Sequence, residues 1–119
     1  MADINIALIG AGFMGKAHSN AWRQVAAFSP PRLTPRRKVV CGLIPRETRA
    51  MSRAYGWEET ASDWRAVVAR PDIDLVDICT PGGSHAEIAI GAAQAGKIVL
   101  CEKPLANSVA DAERMLAAV

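Results

Sequence analysis

Residues 4–15 read INIALIGAGFMG. Ile4 to Ile9 form a short apolar run of β type. Gly10, Gly12 and Gly15 follow at once in G-x-G-x-x-G spacing, and a helix-like stretch comes next. Strand, glycine loop and helix in this order are what a backbone needs to hold a dinucleotide pyrophosphate. Gly10 permits the tight turn, Gly12 lets the chain approach the phosphates, and Gly15 lets the helix pack closely on the strand. Free N–H groups and the positive dipole end of that helix then face the anion. Ala11, Phe13 and Met14 lie within the same cradle. Glycine triplets also arise by chance, as plain structural turns. The position of this one directly after a strand is what gives it weight.

Working outward, strand and helix patterns alternate along the chain. Met14 to about Phe28 carries apolar residues at helical spacing, and the Pro-rich segment Ser29 to Pro35 breaks it. Val39 to Leu43 reads as a second strand, followed by a helix opened by Pro45 that stops at Gly56. A very short third strand falls near Trp57 to Glu59. Ser62 is the expected N-cap of a helix with Trp64, Val67 and Val68. Asp74 to Thr80 is the fourth strand. Ser84 and Glu87 form an S-x-x-E capping box for a helix that reaches Ala95 and ends at Gly96. Ile98 to Cys101 is the fifth strand, and Ser108 and Asp111 open the last helix. Such alternation predicts an α/β fold, a doubly wound parallel sheet of Rossmann type in three αβα layers.

Bulk properties limit the function classes. The 119 residues suit one domain, half of them are hydrophobic and 22% are charged. A net charge of +2 gives no reason to expect a nucleic-acid partner. Arg32, Arg36, Arg37 and Lys38 cluster around Pro30, Pro31 and Pro35 and read as a solvated basic loop. No window reaches the roughly 18 uninterrupted apolar residues that span a membrane. Asp3 and Asn5 stand where a secretory signal would be basic, so a cytoplasmic location is expected. Cys41, Cys79 and Cys101 lie in apolar strands without C-x-x-C spacing; they read as buried reduced thiols, and no metal site is expected. Trp22, Trp57 and Trp64 read as packing residues, and His18 carries little weight.

Ligands of doubly wound sheets bind outside the carboxyl ends of the strands. After the second strand, Gly42 stands where an acid would bond the ribose 2′-hydroxyl of NAD, and no carboxylate comes before Glu47. Arg46 is either a partner for the 2′-phosphate of NADP or an exposed first-turn arginine. After the fourth strand, Thr80, Pro81 and Gly82 bring a hydroxyl and a close-approaching backbone. His85 follows in the next helix, as a cofactor-side group with its neutral form favoured by the helix dipole, or as a half-exposed surface residue. After the fifth strand, Glu102 and Lys103 precede Pro104. A lysine there either points into the cofactor crevice, where it can share a proton with a substrate hydroxyl or carbonyl, or is simply solvent-facing as lysines usually are.

The set IGAGFMGKAH at 9–18, DIDLVDICTP from Asp72 to Pro81, His85, and CEKPLA from Cys101 to Ala106 resembles the Gfo/Idh/MocA family of NAD(P)-dependent oxidoreductases over essentially the whole chain. The resemblance implies NAD or NADP as cofactor, and a hydroxyl–carbonyl pair on a sugar, inositol or related polyol as substrate. It implies that Lys103 belongs to the catalytic set, that the bond before Pro104 is often cis, and that the full-length protein is a homo-oligomer. GFMGKAHSNAW at 12–22 is similar to the branch with glycoside and anhydrosugar dehydrogenases.

Three departures stand out. The family commonly has T-P-N where this chain has Gly82, and the acid after the second strand is absent. Family members also carry a C-terminal substrate domain that adds an Asp and a His, and nothing here matches it. Val109, Ala112, Met115, Leu116 and Val119 form an apolar stripe with no helix C-cap. The expectation is that residues 1–119 are the NAD(P)-binding domain of a longer enzyme, able to bind cofactor but with little turnover alone. The alternative is a non-catalytic NAD(H)-sensing module that regulates a partner, which has no use for Lys103.

Overall fold

The computed structural model describes residues 2–119. Its elements are β1 (Asp3–Ile9), α1 (Phe13–Phe28), β2 (Thr34–Cys41), α2 (Pro45–Tyr55), β3 (Glu59–Ala61), α3 (Trp64–Val68), β4 (Leu75–Ile78), α4 (His85–Gln94), β5 (Ile98–Cys101) and α5 (Val109–Ala118). The five strands form one sheet in the order β3-β2-β1-β4-β5, with every neighbouring pair parallel. Side chains alternate across a strand, and β1 shows the result. Ala7 and Ile9 join Val67, Ile88 and Met115 of α3, α4 and α5 in one core. Ile6 and Leu8 join Met51 of α2 and Trp22 of α1 in the other. The sheet thus has helices on both faces, which is the doubly wound arrangement expected.

Several local expectations need correction. β2 begins at Thr34 and stops at Cys41, so Arg36, Arg37 and Lys38 are strand residues and not a loop. Apolar patterning could not show this, because the outer half of β2 is stabilised by charge. Arg36 bonds Asp3 at 3.1 Å and Glu58 at 2.6 Å, Lys38 bonds Glu58 at 3.0 Å, and Arg70 bonds Glu59 at 2.9 Å. The β1–β2 register slips at Lys38, where Ile6 faces Arg37 but Ala7 faces Val39. β3 lies two residues later than expected. Trp57 is instead buried, its indole N–H donating to Ser19 Oγ at 3.0 Å. The α3 cap is Asp63 and not Ser62, its carboxylate accepting from the Arg65 amide at 3.0 Å. β4 is confined to Leu75–Ile78 within the wider expected run.

The capping box at Ser84 does not form. Residues 82–84 make a 3-10 turn that runs into α4, and the Ser84 hydroxyl bonds backward to Thr80 Oγ1 at 2.7 Å and Pro81 O at 2.8 Å. The expected caps at the two later boundaries are present. Gly96 takes a φ of +77° after α4, and Ser108 Oγ accepts from the Asp111 amide at 3.1 Å. Along α5 only Met115 of the apolar stripe is buried, while Val109, Leu116 and Val119 are exposed. No helix of the described residues is long and apolar enough to cross a membrane.

Candidate functional site: the carboxyl edge of the sheet

The glycine loop is built by contact with β4. Gly10 has a φ of +115°, and a Cβ there would lie 2.6 Å from the Cys79 carbonyl carbon. A Cβ on Gly15 would stand 2.0 Å from Gly10 O, so α1 docks on the loop only because that atom is missing. Gly12 differs, since a Cβ on it would meet nothing within 4 Å. It is the N-cap of α1 and supplies no side-chain hydrogen bond. The first-turn amides of Phe13, Met14 and Gly15 have no acceptor among the described residues, and the space beside Gly12 is open. An anion fits there, and this is the position a pyrophosphate requires.

Two cavities flank the loop. One of about 370 Å³ is lined by Gly10, Ala11, Gly42, Ile44, Thr80 and Pro81 among others. The second, of about 450 Å³, is lined by Ala11, Gly12, Phe13, Lys16, Arg46 and Glu47. Ala11 and Glu47 line both, so the two are contiguous around the loop. Of the expected site residues, Met14, Gly15, Gly82, His85, Glu102 and Lys103 line neither. Arg46 is exposed and makes no hydrogen bond or ion pair with the described residues, which leaves its guanidinium open to the second cavity.

Space accounts for two of the three departures in sequence. A Cβ on Gly42 would lie 2.9 Å from Thr48 Cγ2 and 3.1 Å from Ala11 Cβ. Thr48 is buried and its hydroxyl is bonded to Pro45 O at 3.1 Å, so it cannot make room for an aspartate. A Cβ on Gly82 would meet Asn107 Oδ1 at 2.7 Å. The Asn107 carboxamide fills the place where the side chain of residue 82 would begin, so a polar amide stays beside this turn.

His85 is neither half-exposed nor on the surface. It is 1% exposed, with Nδ1 2.8 Å from Pro104 O and Nε2 2.6 Å from Thr80 O. Carbonyl oxygens only accept, so a neutral ring donates to one and the imidazolium to both. Its ring bridges the loop after β4 and the turn after β5. The Lys103–Pro104 bond in that turn is cis, as the resemblance implied. Lys103 is exposed and makes no side-chain hydrogen bond or ion pair with the described residues.

Sequence reasoning missed a second polar cluster beneath this edge. Asp77 of β4 is fully buried, and His18 on α1 bonds it through Nδ1 at 2.9 Å. The other nitrogen of His18 meets Glu102 Oε2 at 2.8 Å. Trp22 is more than a packing residue, because its indole N–H donates to Asp77 Oδ2 at 2.8 Å. The available signal was a lone aspartate inside an apolar strand, with His18 and Trp22 four residues apart on one helix face. His18, Asp77 and Cys79 bring donor atoms within 4.8 Å of one another. Those atoms are committed to hydrogen bonds among themselves and with Trp22 and Glu102. Of the three cysteines, Cys41 and Cys79 are buried as expected and Cys101 only partly so. Burial, then the Asp63 charge, pushes the Cys41 thiol up to about 11; burial, then the Glu102 and Asp77 charges, does the same to Cys101, also to about 11. Both are protonated and unreactive near neutral pH.

Comparison with known proteins agrees with this construction. The chain is 47% identical over its full length to levoglucosan dehydrogenase of Pseudarthrobacter phenanthrenivorans, covering 31% of that protein. A solved levoglucosan dehydrogenase in complex with NADH and L-sorbose superposes with a TM-score of 0.95 at 47% identity, over 100% of this chain and 32% of that one. An oxidoreductase domain protein from Kribbella flavida superposes with a TM-score of 0.94 at 54% identity, over 99% of this chain and 32% of that one. The chain thus spans about a third of the length of these relatives. The family described as an oxidoreductase family with an NAD-binding Rossmann fold matches residues 4–119, and the chain belongs to it: Gfo/Idh/MocA.

Proposed function

We propose that this chain is the dinucleotide-binding domain of a cytosolic, homo-oligomeric NAD(H)-dependent dehydrogenase that interconverts a hydroxyl and a carbonyl on a sugar-like polyol. One observation carries the reading. The open amides of the glycine loop, the Thr80-Pro81 turn and Lys103 stand on the same carboxyl edge of one sheet. The first-turn amides of α1 hold the pyrophosphate, and the cavity lined by Arg46 and Glu47 takes the adenosine ribose. Bound nicotinamide dinucleotide supplies the hydride donor or acceptor. Lys103 Nζ orients the substrate oxygen and takes up its proton as the carbonyl forms. His85 keeps the loops on either side of that position at a fixed separation. The NADH complexes of levoglucosan dehydrogenase support both the cofactor and the substrate class.

The test is NADH formation by the complete protein from NAD⁺ across a panel of anhydrosugars, aldoses and inositols. Turnover of one class supports the dehydrogenase; tight NADH binding with no turnover across the panel favours the sensing module. Cofactor choice is read in the same protein by titrating NADH and NADPH separately. Gly42 leaves no carboxylate at the usual position after β2, and Arg46 beside Glu47 offers a cation to a 2′-phosphate, so both cofactors are expected to bind. Arg46→Ala is expected to weaken NADPH by about tenfold, the worth of one exposed charge-assisted hydrogen bond, and to leave NADH nearly unchanged. Equal losses for the two cofactors would make Arg46 a general surface cation.

A further inference from the structure

Asp77 breaks the apolar pattern of β4. A buried carboxylate costs several kcal/mol unless other groups satisfy it. It has four contacts: His18 Nδ1 at 2.9 and 3.0 Å, Trp22 Nε1 at 2.8 Å, and Cys79 Sγ at 3.5 Å. More than this is needed to explain His18, because its second nitrogen is spent on Glu102 at 2.8 Å. Both partners are carboxylates, which only accept, so the ring donates at both ends as an imidazolium. This one cation joins α1, three residues beyond Gly15, to β4 and to the exit of β5. Glu102 is adjacent to Lys103 in the chain.

We propose that His18 is a positioning residue for the nicotinamide end of the site: through Glu102 it fixes the backbone that carries Lys103, and through Asp77 it anchors that backbone to the sheet and to the helix of the glycine cradle. The inference rests on Lys103 being the catalytic residue. Outer partners of this kind set the orientation of groups they do not touch, and small misplacements of a reacting group are costly.

The linkage gives the device a pH window. Burial acts to lower the His18 pKa. The hydrogen bond and charge of Asp77, then those of Glu102, outweigh it, and the net shift is upward from 6.5. The Glu102 carboxyl is held below its ordinary 4.5, first by the His18 hydrogen bond and then by the Lys103 backbone amide. The other titratable groups beside the two carboxylates are Cys79 just after β4, Cys101 at the end of β5 and Lys103 beyond it, while Lys16 lies on α1 in the lining of the second cavity. A raised histidine value means that the link is complete below pH 6.5 and is lost as pH rises through the folded value. The lowered Glu102 value means that the link is complete above pH 4.5 and is lost as pH falls through the folded value.

The test compares His18→Asn and Glu102→Ala with the wild type in the complete protein. Asparagine keeps a donor for Asp77 but cannot reach Glu102, and Glu102→Ala leaves the buried Asp77–His18 pair intact. Both variants are expected to lower kcat by about 10- to 100-fold with KM for NAD⁺ nearly unchanged. The alkaline limb of the wild-type kcat profile should disappear in both. Amide hydrogen exchange in peptides covering residues 101–107 should rise about tenfold, with β1 and α4 unchanged. Unchanged exchange in that segment overturns the proposal. So does a uniform rise across the chain with a matching fall in Tm, which marks a merely structural pair. If the wild type turns over no polyol, the dehydrogenase reading has failed, and the exchange result still decides whether His18 orders the Lys103 backbone.

Discussion

Lys103→Ala is expected to lower kcat by about a thousandfold while changing NADH affinity less than about threefold, the loss typical of a removed general acid–base group. The separation follows from geometry. Lys103 is exposed at the exit of β5 and lines neither cavity beside the glycine loop. In the proposed binding mode the dinucleotide uses the first-turn amides of α1 and the walls near Gly42 and Arg46, which this substitution does not touch. No described residue bonds the Lys103 amine, so its removal leaves no buried partner unsatisfied and Tm should hold. Steady-state kinetics with the substrate found in the panel, beside NADH fluorescence titration, measures both quantities. Unaltered turnover would remove Lys103 from the mechanism.

The second large effect separates two glycines. Gly15→Ala introduces a Cβ 2.0 Å from Gly10 O and 3.5 Å from Leu8 Cδ2. Gly10 cannot retreat, because its amide bonds Cys41 O at 2.8 Å and its backbone lies against Cys79 and Thr80. Alanine gains about 1 kcal/mol of helix propensity over glycine, but overpacking of this kind costs about 3 kcal/mol, so the clash wins by about 2 kcal/mol. Lower stability and a loss of NADH affinity of about tenfold or more should appear together, since α1 must move away from the loop. Gly12→Ala meets no protein atom. It should leave unfolding by urea within about 0.5 kcal/mol of wild type, as surface substitutions do, yet weaken NADH strongly, because its methyl group enters the space of the phosphates. Equal behaviour of the two variants would contradict the assignment of the open space to the cofactor.

The parts of the fold that apolar burial dictates were legible. β1, β5 and the alternation of layers follow from runs of Ile, Val and Leu, and the glycine loop follows from steric need. What escaped is held by polar groups whose partners lie far along the chain. Arg36 and Lys38 read as loop until Glu58, 22 and 20 residues away, is seen across the strand pair. His18 has no meaning without Asp77 and Glu102, 59 and 84 residues distant. His85 fails as a surface residue for the same reason, since its acceptors are two backbone carbonyls that only the folded chain brings together. Ser84 shows the local version: its hydroxyl had an alternative partner in Thr80, and the capping box lost the competition.

The ladder of ion pairs at the far margin of the sheet has a consequence for association. β3 has only three residues, and Arg36, Lys38, Arg70 and their acidic partners surround it. A foreign strand that paired there would have to strip water from charges of both signs, so this margin is closed to edge-to-edge growth. At the opposite margin β5 presents Ile98 and Leu100, both substantially exposed, with no such ring of ion pairs among the described residues. The sheet therefore has a blunt side and an adhesive side, and aggregation of the isolated domain should begin along β5.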